Sequence, residues 1–171
     1  MAVSATRRRK REELVREHMD SENRREFDAT VKTFARPRYE LIGTGEVYNG
    51  KKEVERYFEE TRRAFPDQRN ELLALHHTDD AVIVEAVVRG THRGPLRGLP
   101  PSGREFELPI LSVFLFEGDK LICERVYFDR TTLLRQLGFA RDPLGLAGRL
   151  QTLAGHPLTI GRGVIRRVIG R

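Results

Sequence analysis

Four long segments after Arg69 alternate their side chains in twos, with tight turns or a loop between them. Arg69–His77, Ala81–Thr91, Arg104–Phe116 and Lys120–Asp129 each read as a β-strand. Asp79-Asp80 and Glu117-Gly118-Asp119 are hairpin-type turns, and Gly94–Gly103 is a Pro/Gly-rich loop. The chain before Arg69 has a different period. Residues 11–20 place Leu14, Val15 and His18 on one helical face, and Asp28–Phe34 form a second helical stretch that Pro37 ends. Tyr39–Ile42 is a short strand, and turns surround Glu46–Tyr48. Lys51–Phe65 carries an apolar stripe of Val54, Tyr57, Phe58, Thr61 and Phe65 and ends at Pro66-Asp67. Thr131–Leu137 is a short closing helix before Gly138. Helices first and long antiparallel strands afterwards predict an α+β domain rather than alternating α/β.

The 171 residues suffice for one domain with a sizeable core. The net charge of +6 belongs to the ends. Residues 1–11 form a basic extension with five positive charges and no acid. Residues 141–171 form a Gly/Leu/Arg-rich tail with six arginines and one acid, Asp142. Between them, residues 12–140 carry 20 basic and 24 acidic side chains. A nucleic-acid-binding domain shows its basic face on the domain itself, so no nucleic-acid partner is expected. The tail is a solvated or dimer-packed segment, or an interfacial helix. In the second case Ile160, Val164 and Val168 face an anionic membrane surface beside Arg162, Arg166, Arg167 and Arg171. No apolar run approaches the roughly 20 residues of a membrane-spanning helix, and the basic N-terminus has no apolar stretch after it. A cytoplasmic location is the expectation. Cys123 is the single cysteine, which excludes an intrachain disulfide and a Cys-rich zinc site. His76 and His77 are adjacent on a strand and point to opposite faces, so they do not share a metal.

The text from Gly90 to Gly138 carries three recognisable motifs. They are Gly-Thr-His-x-Gly, Gly-Leu-Pro-Pro-x-Gly and the closing Tyr-Phe-Asp-x-x-x-Leu-Leu-x-Gln-Leu-Gly. Together and in this order they resemble the SnoaL-like branch of the nuclear transport factor 2-like superfamily, and the resemblance extends more weakly back to residue 12. It implies a cone-shaped, strongly curved antiparallel sheet wrapped on N-terminal helices, an α+β barrel with a deep, mostly apolar pocket. Polyketide cyclases, ketosteroid isomerase and limonene epoxide hydrolase share that fold, so it leaves the reaction open.

The resemblance also indicates positions. Ser112 falls where the isomerase keeps an oxyanion-donating acid and the cyclases a histidine. Val126 falls where the cyclases and the epoxide hydrolase place an aspartate, and a valine transfers no proton. His18 falls where the isomerase carries a hydrogen-bonding tyrosine. The isomerase's base maps to the inert Leu41 or Ile42, with Glu40 as a possible substitute.

Strand alternation then suggests the lining: Phe106, Leu108, Ile110, Ser112 and Phe114 from one strand, and Glu124, Val126 and Phe128 from the next. Tyr39 and Tyr127 are candidates for hydrogen bonds there. Glu85 interrupts the apolar run Ala81–Val88. A buried carboxylate is either paired with a base or placed in a cavity, and the cavity is the reading taken. Asp129 caps the closing helix. His92 is structural or at the pocket rim.

The sequence therefore points to a cofactor-independent acid/base enzyme on a small apolar, oxygenated molecule of polyketide or steroid character. His18, Glu85 and Glu124 would move protons. The alternative is a non-catalytic binder of lipophilic ligands, held at a membrane by the tail. No phosphate loop, dinucleotide fingerprint or nucleophile elbow suggests a cofactor or a covalent route. Both faces of the strands are apolar, as at Ile83-Val84 and Val113-Phe114, so a homodimer packed sheet to sheet is expected.

Overall fold

A computed structural model describes residues 4–142, 144–158 and 162. The elements follow in the order α1 (Ala5–Asn23), α2 (Phe27–Lys32), β1 (Arg38–Leu41), β2 (Glu46–Asn49), α3 (Lys51–Ala64) and β3 (Arg69–His77). Then come β4 (Ala81–Thr91), β5 (Glu105–Glu117), β6 (Lys120–Phe128), α4 (Arg130–Gln136) and α5 (Leu146–Gly155). The architecture is the expected α+β one. Six strands form one curved, unclosed sheet in the order β2-β1-β6-β5-β4-β3, with β2 and β3 at its edges. All neighbours are antiparallel except β1 and β6, which run parallel.

The strands expected at Arg69–His77 and Ala81–Thr91 match residue for residue. Asp129 lies outside β6: its carboxylate accepts from Thr131 N at 2.8 Å and caps α4.

Helix α1 runs further in both directions than residues 11–20. Ser4 caps its start, and the basic run 7–11 is helical. Arg11, Val15, His18, Met19 and Glu22 share the buried face, spaced for one side of a 3.6-residue helix. Arg11 is a structural cation. Its guanidinium donates to Gly118 O at 3.1 Å and Asp79 O at 3.0 Å, tying two hairpin turns to α1, and it stacks on the Phe116 ring. In α3, Val54, Phe58 and Arg62 point inward at four-residue spacing.

The core lies between these helices and the inner sheet face, centred on Val15, Phe34, Phe58, Val84, Phe114 and Leu121. Cys123 is buried, and burial pushes its thiol up to about 11. Gly94 admits no side chain, because a Cβ there would meet the main chain of Arg63, the close approach that seats the loop 94–103 on the end of α3.

The tail holds a helix, α5, that the sequence pattern does not announce. The stripe of residues 160–171 lies outside the described residues apart from Arg162. Among the described residues no helix is long and apolar enough to cross a membrane.

Candidate functional site

The cavity follows from the register of three strands. Antiparallel pairing sets Ser112 beside Val126 and Val84, and Phe114 beside Glu124. Parallel pairing sets Tyr39 beside Glu124 and Leu41 beside Val126. One face thus collects Tyr39, Leu41, Leu108, Ile110, Ser112, Glu124, Val126 and Phe128. Helices α1 and α3 close over it with Met19, Glu22, Tyr57 and Thr61, leaving a cavity of about 110 Å³. Phe65, Phe106 and Leu133 add apolar wall.

Several expected residues therefore line the cavity: Tyr39, Phe106, Leu108, Ile110, Ser112, Glu124, Val126 and Phe128. Four do not. Glu85 points out of the sheet, its side chain 53% exposed, and meets His76 Nε2 at 2.8 Å. Its register partner is Leu111, on the odd face, so the alternation that turns Ser112 inward turns Glu85 outward. Glu40 is likewise on the outer face, bridging Arg38 at 2.7 Å and Arg125 at 2.6 Å. Burial works to raise its carboxyl, but the two guanidiniums outweigh burial and hold it below the ordinary carboxylate value. Phe114 is fully buried beneath the cavity, edge-on to His18. His18 itself stands behind Glu124 rather than in the cavity wall, so it positions a group instead of touching a ligand. Tyr127, the other candidate tyrosine, is on the exposed outer face.

His18 has no exposed surface and two polar neighbours. Its Nδ1 lies 2.8 Å from Thr33 Oγ1, and its Nε2 lies 3.0 Å from Glu124 Oε2. The tautomer follows from the hydroxyl. Thr33 has one proton and donates it to Thr30 O at 2.7 Å, so it accepts from His18 and Nδ1 carries a hydrogen. Nε2 and Oε2 have no hydrogen-bond partner besides this 3.0 Å contact, which itself falls short of hydrogen-bond geometry, so the two buried atoms face each other in an otherwise apolar setting. On the other carboxylate oxygen, Tyr39 donates to Glu124 Oε1 at 3.3 Å. Burial first, then the Glu124 charge, push the Tyr39 hydroxyl well above its ordinary value, so it remains a donor across the working pH range.

The second carboxylate in the cavity is Glu22, which sequence reasoning missed as a site residue. It is buried on α1, four residues after His18, and Arg62 lies 3.7 Å from its Oε1. Arg62 spends its donors on main chain: it donates to Glu22 O at 2.8 Å and to Gln68 O. Burial, and then the Glu124 charge, raise the Glu22 carboxyl above its ordinary value, against opposition from Arg62 and His18. Tyr57, also missed, is pushed up by the same burial and by both glutamates. The detectable signal was the stripe Arg11-Val15-His18-Glu22, visible once the helix is continued beyond Asp20.

A raised carboxyl destabilises the folded state once the unfolded chain ionises. The loss begins near the unfolded value of about 4.3 and is complete above the folded one. Glu22→Gln is therefore expected to stabilise the protein at neutral pH, by about 1.4 kcal/mol for each pH unit separating the two values. The gain should vanish below about pH 4. Urea titrations across that range check both the sign and the window. A loss of stability at neutral pH would instead mark Glu22 as an ionised partner of Arg62.

Metal chemistry has no cluster to rest on: among the described residues no three His, Cys, Asp or Glu side chains converge. No curated protein matches the chain in sequence. Solved structures share its fold. IdmH of Streptomyces antibioticus, a proposed polyketide cyclase, is 23% identical, covers 75% of this chain and 98% of its own, and superposes with a TM-score of 0.64. A phenazine biosynthesis-related protein of Pseudomonas aeruginosa is 21% identical over 86% of this chain and 93% of its own, with a TM-score of 0.69. A Catenulispora acidiphila protein with a ketosteroid isomerase-like fold, in complex with trimethylamine, is 18% identical over 75% and 94%, with a TM-score of 0.65. These identities speak to fold alone. The family model for SnoaL-like polyketide cyclases matches residues 12–137, and with the cavity, its closing helix and all but the last residue of the motifs of residues 90–138 inside that span, the chain belongs to the SnoaL-like polyketide cyclase family.

Proposed function

We propose that the cavity is the active site of a cofactor-independent acid/base enzyme, and that Glu124 is the group that accepts the proton. One observation carries this reading: a buried carboxylate held between the His18 imidazole and the Tyr39 hydroxyl, on the wall of an apolar cavity. As a carboxylate, Glu124 faces the ligand from the cavity wall. It takes a proton from carbon next to a carbonyl, and the electron pair moves to the carbonyl oxygen. Ser112 and the neutral form of Glu22 are the donors that receive that oxygen, while Tyr39 keeps its hydrogen on Glu124. The Phe65, Phe106 and Phe128 rings keep water out. Returning the proton to a different atom completes an isomerisation.

Size narrows the substrate. About 110 Å³ is well below the roughly 300–1,000 Å³ of typical ligand pockets, and equals the share of liquid volume of about four waters. A small carbonyl compound fits, whereas a steroid or aromatic polyketide requires the walls to part. Incubating the protein with small ketones and β-dicarbonyl compounds in D2O tests the reading. Deuterium should enter the α-carbon with the unsubstituted chain and not with Glu124→Gln. Tight binding of such compounds with no deuterium uptake would replace the enzyme by the non-catalytic ligand binder.

Assembly belongs to the same proposal. Ile42, Leu73, Leu111 and Tyr127 stand exposed on the outer sheet face, and a second copy packed sheet to sheet covers them. Light scattering at micromolar concentration should return the mass of a dimer; a monomeric mass rules this assembly out.

A further inference from the structure

Helix α5 is turned the wrong way round for a lone protein. Its one buried residue is Gly148, and Gly148, Thr152 and Gly155 line a hollow that they share with Phe139–Arg141. Leu146, Leu150 and Leu153 follow at four- and three-residue spacing on the other side, and they are 80%, 60% and 49% exposed. Leu144 and Leu158, just beyond the helix ends, are exposed as well. The helix thus turns its small residues toward Phe139–Arg141 and offers its leucines to whatever lies outside.

The charge that follows Asp142 in the sequence has one sign. After Asp142 the sequence has no acidic residue and five arginines: Arg149, Arg162, Arg166, Arg167 and Arg171. A surface that suits both features gives hydrocarbon to the leucines and phosphates to the guanidiniums. The outer sheet face of a second copy offers less. Three of its acids are already committed, Glu85 to His76 and both Glu71 and Glu107 to Arg89.

We propose that α5 lies flat on an anionic lipid surface, with Leu146, Leu150 and Leu153 in the acyl boundary, and that Arg149 and the net positive charge of the sequence beyond it draw the helix to the phosphates. The enzyme reading and this one stand on different residues and fail independently. Binding of this kind takes an apolar face and anionic headgroups together, and salt weakens it.

The chain has no tryptophan, so Leu150→Trp introduces a single reporter at an exposed position. Its emission should shift to the blue with vesicles of phosphatidylcholine and phosphatidylglycerol. It should stay put with pure phosphatidylcholine and shift back in high salt. Adding Leu146→Ser and Leu153→Ser should weaken vesicle binding by at least about tenfold, two buried leucines' worth. Both positions are exposed, so the melting temperature should not change. Co-sedimentation of the unsubstituted chain with the same vesicles gives an independent readout. Three results would overturn the proposal. One is an emission that anionic vesicles leave unmoved. Another is equal binding to uncharged vesicles. The third is a blue shift without lipid that grows with protein concentration, which assigns the helix to a second copy.

Discussion

Glu124→Gln is expected to remove α-proton exchange, by a factor of about 10²–10⁴, while leaving the protein as stable as before. Glu124→Ala should lose activity and stability together. The difference lies in what each leaves for the neighbours. The amide keeps an acceptor for the Tyr39 hydroxyl and supplies an N–H to His18 Nε2. That nitrogen becomes a plain acceptor, because Nδ1 keeps its hydrogen for Thr33. Both neighbours of position 124 keep a polar group opposite them. Alanine strips partners from His18 and Tyr39, both buried, at about 1–3 kcal/mol each, and adds empty volume to the cavity. A loss of about 3–5 kcal/mol follows, on the order of 10 °C in melting temperature for a chain of this length. Thermal denaturation of the two variants, with the His18 ring nitrogen shifts by NMR, checks both halves. If the glutamine variant melts as low as the alanine one, an amide does not replace the carboxylate between His18 and Tyr39. If it keeps full exchange activity, Glu124 is not the base.

Most of the fold was legible because its signals are local. Turn residues bracket the strands, and a period of two runs through them, so two of the four long strands match to the residue and the other two to within one at an end. The cavity wall on β5 and β6 followed from the same alternation. What failed was placement that depends on pairing. Glu85 looked buried because its neighbours are apolar, yet both faces of β4 are covered by apolar residues and only the register with Ser112 decides which way it points. Tyr39 and Glu40 were both placed in the pocket, although adjacent strand residues face opposite ways. The parallel register with β6 then sorts them, Tyr39 to Glu124 inside and Glu40 to Arg125 outside. Glu22 and Arg62 were lost for another reason. Each sits on a helix face among charged residues, and a buried charge on such a face looks like a solvated one until the partner helix is known. Arg11 shows the same effect at the N-terminus, where a basic run contains one structural cation.

Arg62→Met should be the most damaging single change to this network outside Glu124, by about 3–5 kcal/mol. The guanidinium is buried between α1 and the start of β3 and serves two main-chain carbonyls, Glu22 O and Gln68 O. A thioether fills similar space and donates to neither. The change also removes the main positive charge that opposes the rise of the Glu22 carboxyl, which then lies higher still. The sign of the pH dependence follows. A folded value raised above the unfolded one costs stability as pH climbs from about 4.3 to that folded value, so the variant should lose more than the parent over this range, and across a wider one. Adding Glu22→Gln removes the titrating group but not the orphaned carbonyls. The double variant should recover part of the loss at neutral pH and none near pH 4, and the two substitutions should be non-additive by about 0.5–3 kcal/mol, as in-contact pairs are. Additive losses at every pH would mean that Arg62 acts only as a clamp on main chain and has no electrostatic hold on Glu22. Glu22 would then owe its raised carboxyl to burial and to Glu124, and its use as a neutral donor would rest on the dryness of the cavity.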